Sequence, residues 1–198
     1  MIRVNIRQKR FGMVPVLGPL AFDIAAGETV ALTGPSGIGK TTLLRLVAGI
    51  DPVFDGQIDR PDHQAIVFQE PTLLPWRCAL DNLMLVHSGL PRADAETALG
   101  AVGLCGKGSL FPGQLSLGQQ RRLSLARAFA GRPEFLIMDE PFVSLDAETA
   151  DAMLSLTEEL IAQHQPATLF VTHSMTEAER LADRVLELKT GPDGAVLA

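Results

Sequence analysis

The chain has 198 residues, of which 46% are hydrophobic, and it carries a formal net charge of −6 at pH 7. This length suffices for one α/β domain with a sizeable core, and the acidic balance argues against nucleic acid as the main partner. No apolar run approaches the ~18 residues that span a bilayer, and no signal-peptide pattern opens the chain, so we expect a soluble protein of the cytoplasm. Cys78 and Cys105 have neither metal-ligand spacing nor a disulfide framework around them, which predicts buried free thiols.

Short apolar runs that end in turn or cap residues alternate with helical patterns along much of the chain. Strands are predicted at residues 29–33, 65–68, 135–138 and 168–171, and a helix is predicted at 41–49. Continuous apolar strands of this kind predict a mainly parallel sheet that is covered by helices on both faces. In such sheets ligands bind at the carboxyl ends of the strands, and polar residues stand at those ends. They are Gly34 to Thr41, Gln69, Asp139 with Glu140, and His173.

The segment 71–132 has a different character. It contains no clear β run, and helical patterns lie near residues 80–86, 93–102 and 118–131. These patterns predict a helical subdomain that is inserted into one domain spanning residues 1–198. After His173 a single helix and a terminal strand are predicted, so we expect no C-terminal regulatory domain.

An eight-residue run between a predicted strand and a predicted helix fits the phosphate-loop pattern Gly-x-x-x-x-Gly-Lys-Ser/Thr. It reads Gly34-Pro35-Ser36-Gly37-Ile38-Gly39-Lys40-Thr41. The glycines let the backbone approach phosphates, whose charge is met by N–H groups at the positive end of the helix. Lys40 should reach the β- and γ-phosphates, the Thr41 hydroxyl should bind Mg²⁺, and Thr42 is a further candidate nucleotide contact. GTPases usually read guanine with an Asn-Lys-x-Asp run, and neither Asn5 nor Asn82 is followed by Lys, so ATP is the predicted nucleotide.

Two carboxylates follow the predicted strand 135–138, where they would face the γ-phosphate. Asp139 has the position of a Walker B carboxylate, which holds Mg²⁺, usually through water. Glu140 comes next and can orient or deprotonate the attacking water as a general base. His173 follows another strand, and Ser174 to Glu177 have the spacing of a capping box that would fix the start of the next helix. The remaining histidines are predicted to lie on the surface: His63, His87 and His164.

Residues 115–119 read Leu-Ser-Leu-Gly-Gln and resemble the signature motif Leu-Ser-Gly-Gly-Gln of ATP-binding-cassette (ABC) ATPases, with Leu117 at the third position. The phosphate loop, this run, the two carboxylates and His173 follow the order and spacing of that family. The resemblance extends from about Phe11 to His173 and thus covers nearly the whole chain. It implies an ATP hydrolase with an α/β, RecA-like P-loop NTPase fold. In that fold a mainly parallel sheet is flanked by helices, with an N-terminal antiparallel β region and the inserted helical subdomain.

The resemblance also implies roles for further residues. Gln69 would be the Q-loop glutamine, a ligand or near-ligand of Mg²⁺, and His173 would contact the γ-phosphate. Phe11 would stack on adenine, although a core phenylalanine in an N-terminal strand is an equal alternative. Asp146, at the end of the run 144–146, would belong to the D-loop, would cap the next helix, or would do both.

A head-to-tail dimer is implied as well, either of two copies of this chain or with a second ABC ATPase. Ser116, Gly118 and Gln119 of one subunit would close on the ATP that is held by the phosphate loop of the other. Hydrolysis would then release the two subunits, since ATP binds the closed state better. Leu117 would be tolerated if its side chain points away from phosphate, and it would weaken affinity or closure if it faces the nucleotide.

Residues 69–77 resemble the ATPases of nitrate, sulfonate and taurine importers, in which a pair such as Pro75-Trp76 is common. This implies transmembrane permease partners, a separate solute-binding protein, no nucleic acid, and a peripheral position on the cytoplasmic face of the cell membrane. Leu73, Leu74 and Trp76 would line a groove for a permease helix, or the leucines would belong to the core of the subdomain.

Several alternatives stay open at this point. The chain could serve an importer of pyrimidine precursors or an exporter, or it could be a non-transport ABC ATPase of DNA repair or translation. The spacing between Gln69 and the signature leaves no room for a long coiled coil, which disfavours the non-transport class. A module that binds ATP without hydrolysing it is disfavoured because Glu140 and His173 are both present.

Overall fold

The structure, a computed structural model, describes residues 1–198. The chain forms two compact units, each assembled from segments that are distant in sequence. The first unit comprises residues 1–66, 134–140 and 165–198, and the second comprises residues 67–133 and 141–164. None of the helices combines the length and the apolar character that crossing a membrane requires.

Ten strands and six α-helices follow one another along the chain. The strands are β1 (Ile2–Phe11), β2 (Val14–Leu17), β3 (Leu20–Ile24), β4 (Thr29–Thr33), β5 (Asp55–Asp59), β6 (Gln64–Val67), β7 (Phe135–Asp139), β8 (Ala167–Val171), β9 (Arg184–Gly191) and β10 (Gly194–Leu197). The helices are α1 (Lys40–Val47), α2 (Ala79–Met84), α3 (Arg92–Ala101), α4 (Leu117–Ala130), α5 (Ala147–His164) and α6 (Met175–Leu181). The ten strands form one sheet in the order β3-β1-β2-β10-β9-β4-β8-β7-β6, with β5 paired to β1.

The burial of the strands explains the two characters of this sheet. Every residue of β4, β7 and β8 is buried, and β4–β8 and β7–β8 pair in parallel, as continuous apolar strands covered on both faces do. In β1, by contrast, buried Ile2, Val4 and Ile6 alternate with exposed residues, and its pairing with β2, β3 and β5 is antiparallel. The predicted α/β fold, with a parallel part and an N-terminal antiparallel part, is therefore confirmed.

Parallel register brings the predicted polar residues of the first unit to one edge of the sheet. Strand β4 ends at Thr33, directly before Gly34, while β7 ends at Asp139 and β8 ends at Val171. Asp139 lies opposite Val171 in the β7–β8 ladder. Glu140 and His173 consequently leave adjacent strands at the same end.

The second unit contains α2, α3, α4 and α5 and one 3₁₀ turn at Pro112–Gln114. It includes the predicted helical segment 71–132 and also residues 141–164, because α5 packs against α4. Two buried polar side chains tie its loops to its helices. The Arg121 guanidinium donates to the carbonyl oxygens of Pro141 and Val143 at 2.6 Å each. Asn82 Oδ1 accepts from Leu74 N at 2.8 Å, which fixes the segment before α2.

Three expectations about individual residues and elements are wrong. The chain after α6 forms two strands, β9 and β10, because the turn residues Pro192 and Asp193 between two glycines allow an antiparallel hairpin. Cys78 is half-buried and Cys105 is exposed, so the thiols are free but not buried. His87 and His164 are both partly buried within the second unit rather than lying on its surface. His87 Nε2 lies 2.6 Å from the Arg127 carbonyl oxygen, and the His164 ring packs on Phe129 with 5.4 Å between ring centroids.

Candidate functional site

The phosphate loop of the first unit depends on glycine at two positions. Gly34 (φ 140°) and Gly39 (φ 116°) have left-handed backbone conformations that L-residues rarely adopt. A Cβ on Gly34 would lie 2.8 Å from the Leu188 carbonyl oxygen, and one on Gly39 would lie 3.0 Å from Leu17 Cδ2. Helix α1 starts directly after Gly39 without a side-chain cap. Its first N–H groups therefore point into the loop with the positive end of the helix dipole.

Lys40 is the buried cation of this loop. Its ammonium group donates to the carbonyl oxygens of Gly34 at 2.8 Å and Pro35 at 3.0 Å. The side chain thus folds back over the loop that it belongs to, and its charge lies against two carbonyl oxygens of that loop. This arrangement provides a concentrated positive site of the kind that binds phosphate.

Thr41 and Asp139 form a pair of oxygens next to this loop. Thr41 Oγ1 donates to Asp139 Oδ1 at 3.3 Å, and Asp139 is buried at the end of β7. Burial raises the pKa of the Asp139 carboxyl, the hydrogen bond from Thr41 opposes this, and the neighbouring charge of Glu140 adds to it. A buried carboxylate beside a hydroxyl has the oxygen chemistry that Mg²⁺ prefers.

Glu140 and His173 come together at the end of the β7–β8 ladder. Glu140 Oε1 lies 3.3 Å from His173 Nδ1. Glu140 has φ 47°, in the left-handed region, and its N–H donates to the Val171 carbonyl oxygen at 3.1 Å. A non-glycine residue in this region is costly and persists where its surroundings hold it, often at functional sites. Sequence reasoning named both residues, but their contact depends on the pairing of two strands.

The turn that carries His173 differs in part from the expected capping box. Ser174 Oγ accepts from Glu177 N at 3.3 Å, so Ser174 is the N-cap of α6. The Glu177 carboxylate does not return to Ser174 N. It accepts instead from the hydroxyl of the buried Thr172, which in turn accepts from Ser174 N at 3.0 Å. The hydroxyl of Thr172 competes successfully because it lies between the two groups, and it fixes the backbone on both sides of His173.

Phe11 ends β1 and is 56% exposed, so the alternative of a core phenylalanine is wrong. The ammonium group of Lys9 lies 4.6 Å from the centroid of its ring. No sequence pattern marks Lys9, which is buried although Phe11 is exposed.

In the second unit the signature run opens α4 with a complete capping box. Gln119 N donates to Ser116 Oγ at 3.3 Å, and Ser116 N donates to Gln119 Oε1 at 3.1 Å. Leu117 is the first residue of α4 and is 48% exposed. A Cβ on Gly118 would lie 3.2 Å from Thr149 Cγ2, so α4 and α5 approach closely at this glycine.

Asp146 lies beside the signature run in the same unit. Its Oδ1 accepts from Thr149 N at 3.0 Å. Hydrogen bonds from the backbone and the side chain of Thr149 lower the pKa of the Asp146 carboxyl. The alternative of a helix-capping Asp146 is thus seen directly, and it leaves a D-loop role open. Residues of both segments line one depression of about 490 Å³: Ser116, Leu117, Gly118, Gln119, Ser144, Leu145 and Asp146.

Gln69 is exposed after β6, and the chain that follows it is anchored to α4. The Arg127 guanidinium donates to the carbonyl oxygens of Thr72 at 2.9 Å and Pro71 at 3.0 Å. Leu73 and Leu74 are half-buried, whereas Trp76 is 68% exposed. The exposed indole is therefore available for contact with another molecule.

Comparison with known proteins identifies the family. The model of the ABC transporter family matches residues 17–143, well over half of the chain. The chain belongs to this family. The predicted family and the predicted ATP hydrolase activity are thereby confirmed.

Similar proteins narrow this assignment to importer ATPases. The aliphatic sulfonates import ATP-binding protein SsuB 3 of Paraburkholderia xenovorans is 47% identical over 193 residues, covering 96% of this ABC ATPase and 78% of the relative. The corresponding SsuB 1 of Pseudomonas fluorescens is 48% identical over 184 residues, covering 92% and 71%. These relatives support the predicted importer class and do not favour an ABC ATPase of DNA repair or translation.

Solved structures resemble the whole of this ABC ATPase. The ATP-binding cassette MJ0796, in a dimeric post-hydrolysis state bound to ADP and Pi, matches with a TM-score of 0.79 and 27% identity. The match covers 96% of this chain and 94% of that one. A second dimeric structure of the same bacterial ABC transporter cassette matches equally well, with a TM-score of 0.79.

Proposed function

We propose that this ABC ATPase drives the import of an aliphatic sulfonate, or of a small anion of similar chemistry, through a partner permease. The observation that carries the proposal is the identity of 45–48% with sulfonate import ATP-binding proteins, over 92–96% of the chain. The segment 69–77 with Pro75-Trp76, which resembles the same importers, supports it independently of the rest of the chain.

ATP would bind at the loop Gly34-Pro35-Ser36-Gly37-Ile38-Gly39-Lys40-Thr41, with Thr42 beside it. Lys40 would exchange its two carbonyl partners for oxygens of the β- and γ-phosphates, since its ammonium group already lies within the loop. Thr41 and Asp139 would hold Mg²⁺. The metal, when bound, supplies positive charge that offsets the charge of the phosphates.

Hydrolysis would depend on the pair Glu140 and His173. The Glu140 carboxylate would take a proton from the attacking water, and it is aimed by its strained backbone and by the contact with His173 at 3.3 Å. His173 would in turn orient toward the γ-phosphate, on a backbone that Thr172 holds fixed. General acid–base groups of this kind contribute about 10²- to 10⁴-fold in rate.

A closed dimer would complete the site, and the exposed Ser116 and Leu117 of the signature run are accessible to a partner. Ser116, Gly118 and Gln119 of one subunit would meet the γ-phosphate bound to the other, and Asp146 would lie at the same interface. Leu117, half-exposed at the start of α4, would lie at the rim of this contact rather than against phosphate. The dimeric state of the matching cassette MJ0796 supports this arrangement.

The permease would contact the second unit around Trp76. An exposed indole that closely follows the half-buried Leu73 and Leu74 in sequence has the apolar character that suits a groove for an amphipathic helix. The ATPase would then be peripheral on the cytoplasmic face of the cell membrane, and a separate solute-binding protein would deliver the anion from the other side.

Uptake measurements test the proposal. In a host strain without its own copy of this ATPase, uptake of labelled ethanesulfonate should return with the wild-type chain and should stay absent with Glu140→Gln. Co-purification of the tagged chain from host membranes should bring down a permease. The proposal would be overturned if the tagged chain co-purified with ribosomes or DNA-repair proteins and if the strain without this ATPase took up sulfonate normally.

A further inference from the structure

The lysine next to Phe11 is buried in a way that its strand does not require. Along β1 the buried positions are Ile2, Val4 and Ile6, so strict alternation would expose residue 9. The register of β1 shifts between Ile6 and Gln8 against β5, and again between Lys9 and Arg10 against β2. Such irregularities re-aim side chains. They turn Lys9 inward, where only 2% of it is exposed.

The Lys9 ammonium group has three partners, two oxygen atoms and one aromatic ring. Nζ lies 2.6 Å from Asp51 Oδ2, 2.6 Å from the Val53 carbonyl oxygen and 4.6 Å from the centroid of the Phe11 ring. The hydrogen bond from Lys9 lowers the pKa of Asp51. The first two contacts fix the position of the cation, so the ring meets a charge whose location is set by other residues.

Asp51 links this cluster to the helix of the phosphate loop. Its N–H donates to the Arg45 carbonyl oxygen at 3.2 Å, as the N–H of Ile50 does at 2.9 Å, at the end of α1. Asp51 Oδ1 also accepts from Val53 N at 3.0 Å. The helix that begins at Lys40 therefore fixes, through its last turn, the carboxylate that holds Lys9.

The two faces of the Phe11 ring differ in their surroundings. One face lies over the buried ammonium group, and the side chain is otherwise more than half exposed. A cation on one face attracts the negative charge of the ring's π-system. The open face therefore repels the π-system of a stacked aromatic ring less strongly than the face of an isolated phenylalanine would. A purine base, which offers a large π-face, is the ligand that gains most from such a platform.

We propose that Lys9, held by Asp51, is a positioning residue that orients and polarises Phe11 for stacking on the adenine of ATP. The inference rests on the proposed binding of ATP at the phosphate loop and deepens it. Lys9 itself does not touch the nucleotide. It couples the base platform to α1, so that base and phosphates are held by one rigid set of contacts.

Binding of ADP and pyrophosphate to the full chain, measured by titration calorimetry with Mg²⁺, tests the inference. Lys9→Met should weaken ADP binding about three- to tenfold, on the scale of cation–π contributions, and leave pyrophosphate binding unchanged. Lys9→Arg should restore most of the ADP affinity. In the Phe11→Ala background, Lys9→Met should have no further effect on ADP. The matched control is Arg7→Met, which also changes a basic residue of β1 but removes only the exposed ion pair with Asp55 of β5. It should alter the binding of neither ligand.

Two outcomes would overturn the inference. Equal weakening of ADP and pyrophosphate by Lys9→Met would assign Lys9 a general structural role, and the same loss in the Phe11→Ala background would separate it from the ring. If Phe11→Ala alone leaves the ratio of ADP to pyrophosphate affinity unchanged, the inference about Lys9 is also refuted. That result would not contradict the proposed import function. Failure of the proposed ATP binding is distinguishable, because the wild-type chain would then bind neither ligand.

Discussion

Replacing Glu140 with Gln separates its chemistry from its structural role. Glutamine has nearly the same shape, and the substitution keeps both the left-handed backbone at φ 47° and the bond from the residue 140 N–H to the Val171 carbonyl oxygen. Only the negative charge and its contact with His173 are lost. That pair is partly exposed, and such pairs contribute about 0–1 kcal/mol. The melting temperature should therefore shift by less than about 4 °C.

Turnover should fall much further than stability. Loss of a general base is expected to lower the rate of phosphate release by about 10²- to 10⁴-fold. Because ATP is no longer consumed, an ATP-bound dimer should accumulate, which size-exclusion chromatography with light scattering detects. Glu134→Gln, the same change in the exposed residue before β7, is the matched control and should leave turnover intact. Unchanged turnover in Glu140→Gln would refute the assignment of the base.

Three further substitutions test other parts of the site. Asp139→Asn should raise the melting temperature of the nucleotide-free chain while abolishing Mg²⁺-dependent ATP binding. The raised pKa of Asp139 means that folding favours the protonated carboxyl, so its charge at pH 7 opposes folding. An unchanged or lower melting temperature would contradict this reasoning. Leu117→Gly should change ATP-driven dimerisation by no more than about twofold, as expected for an exposed position, and tenfold tightening would show that Leu117 obstructs closure. Arg121→Met should destabilise the chain by about 2–5 kcal/mol in urea unfolding, because two carbonyl oxygens lose a buried donor, and a loss below about 1 kcal/mol would refute that role.

Local chemistry explains why so much of the candidate site can be predicted from the sequence alone. The phosphate loop is a continuous run in which glycine spacing, Lys40 and Thr41 each have a chemical reason, and the signature run caps its own helix through Ser116 and Gln119. Apolar runs such as 135–138 predicted strands because they must be buried on both faces. Family, fold class and the residues of the site could therefore be named without coordinates.

The remaining features depend on contacts between strands that are distant in sequence or on competition between side chains within one turn. Glu140 meets His173 only because β7 and β8 pair with Asp139 opposite Val171. The capping box expected at Ser174 forms only in part, since the buried Thr172 hydroxyl takes the Glu177 carboxylate. Neither contact has a signature in the local pattern of the chain.

The inward turn of Lys9 shows why some contacts of the site cannot be predicted from the local sequence. Alternation in β1 predicts an exposed lysine, and register shifts against two different strands reverse its direction. Its partner Asp51 lies in the loop after α1, more than forty residues along the chain. Local residue patterns predict the residues that would bind phosphate and activate water. The tertiary structure decided which side chains hold them in place, because register and long-range pairing are properties of the assembled sheet.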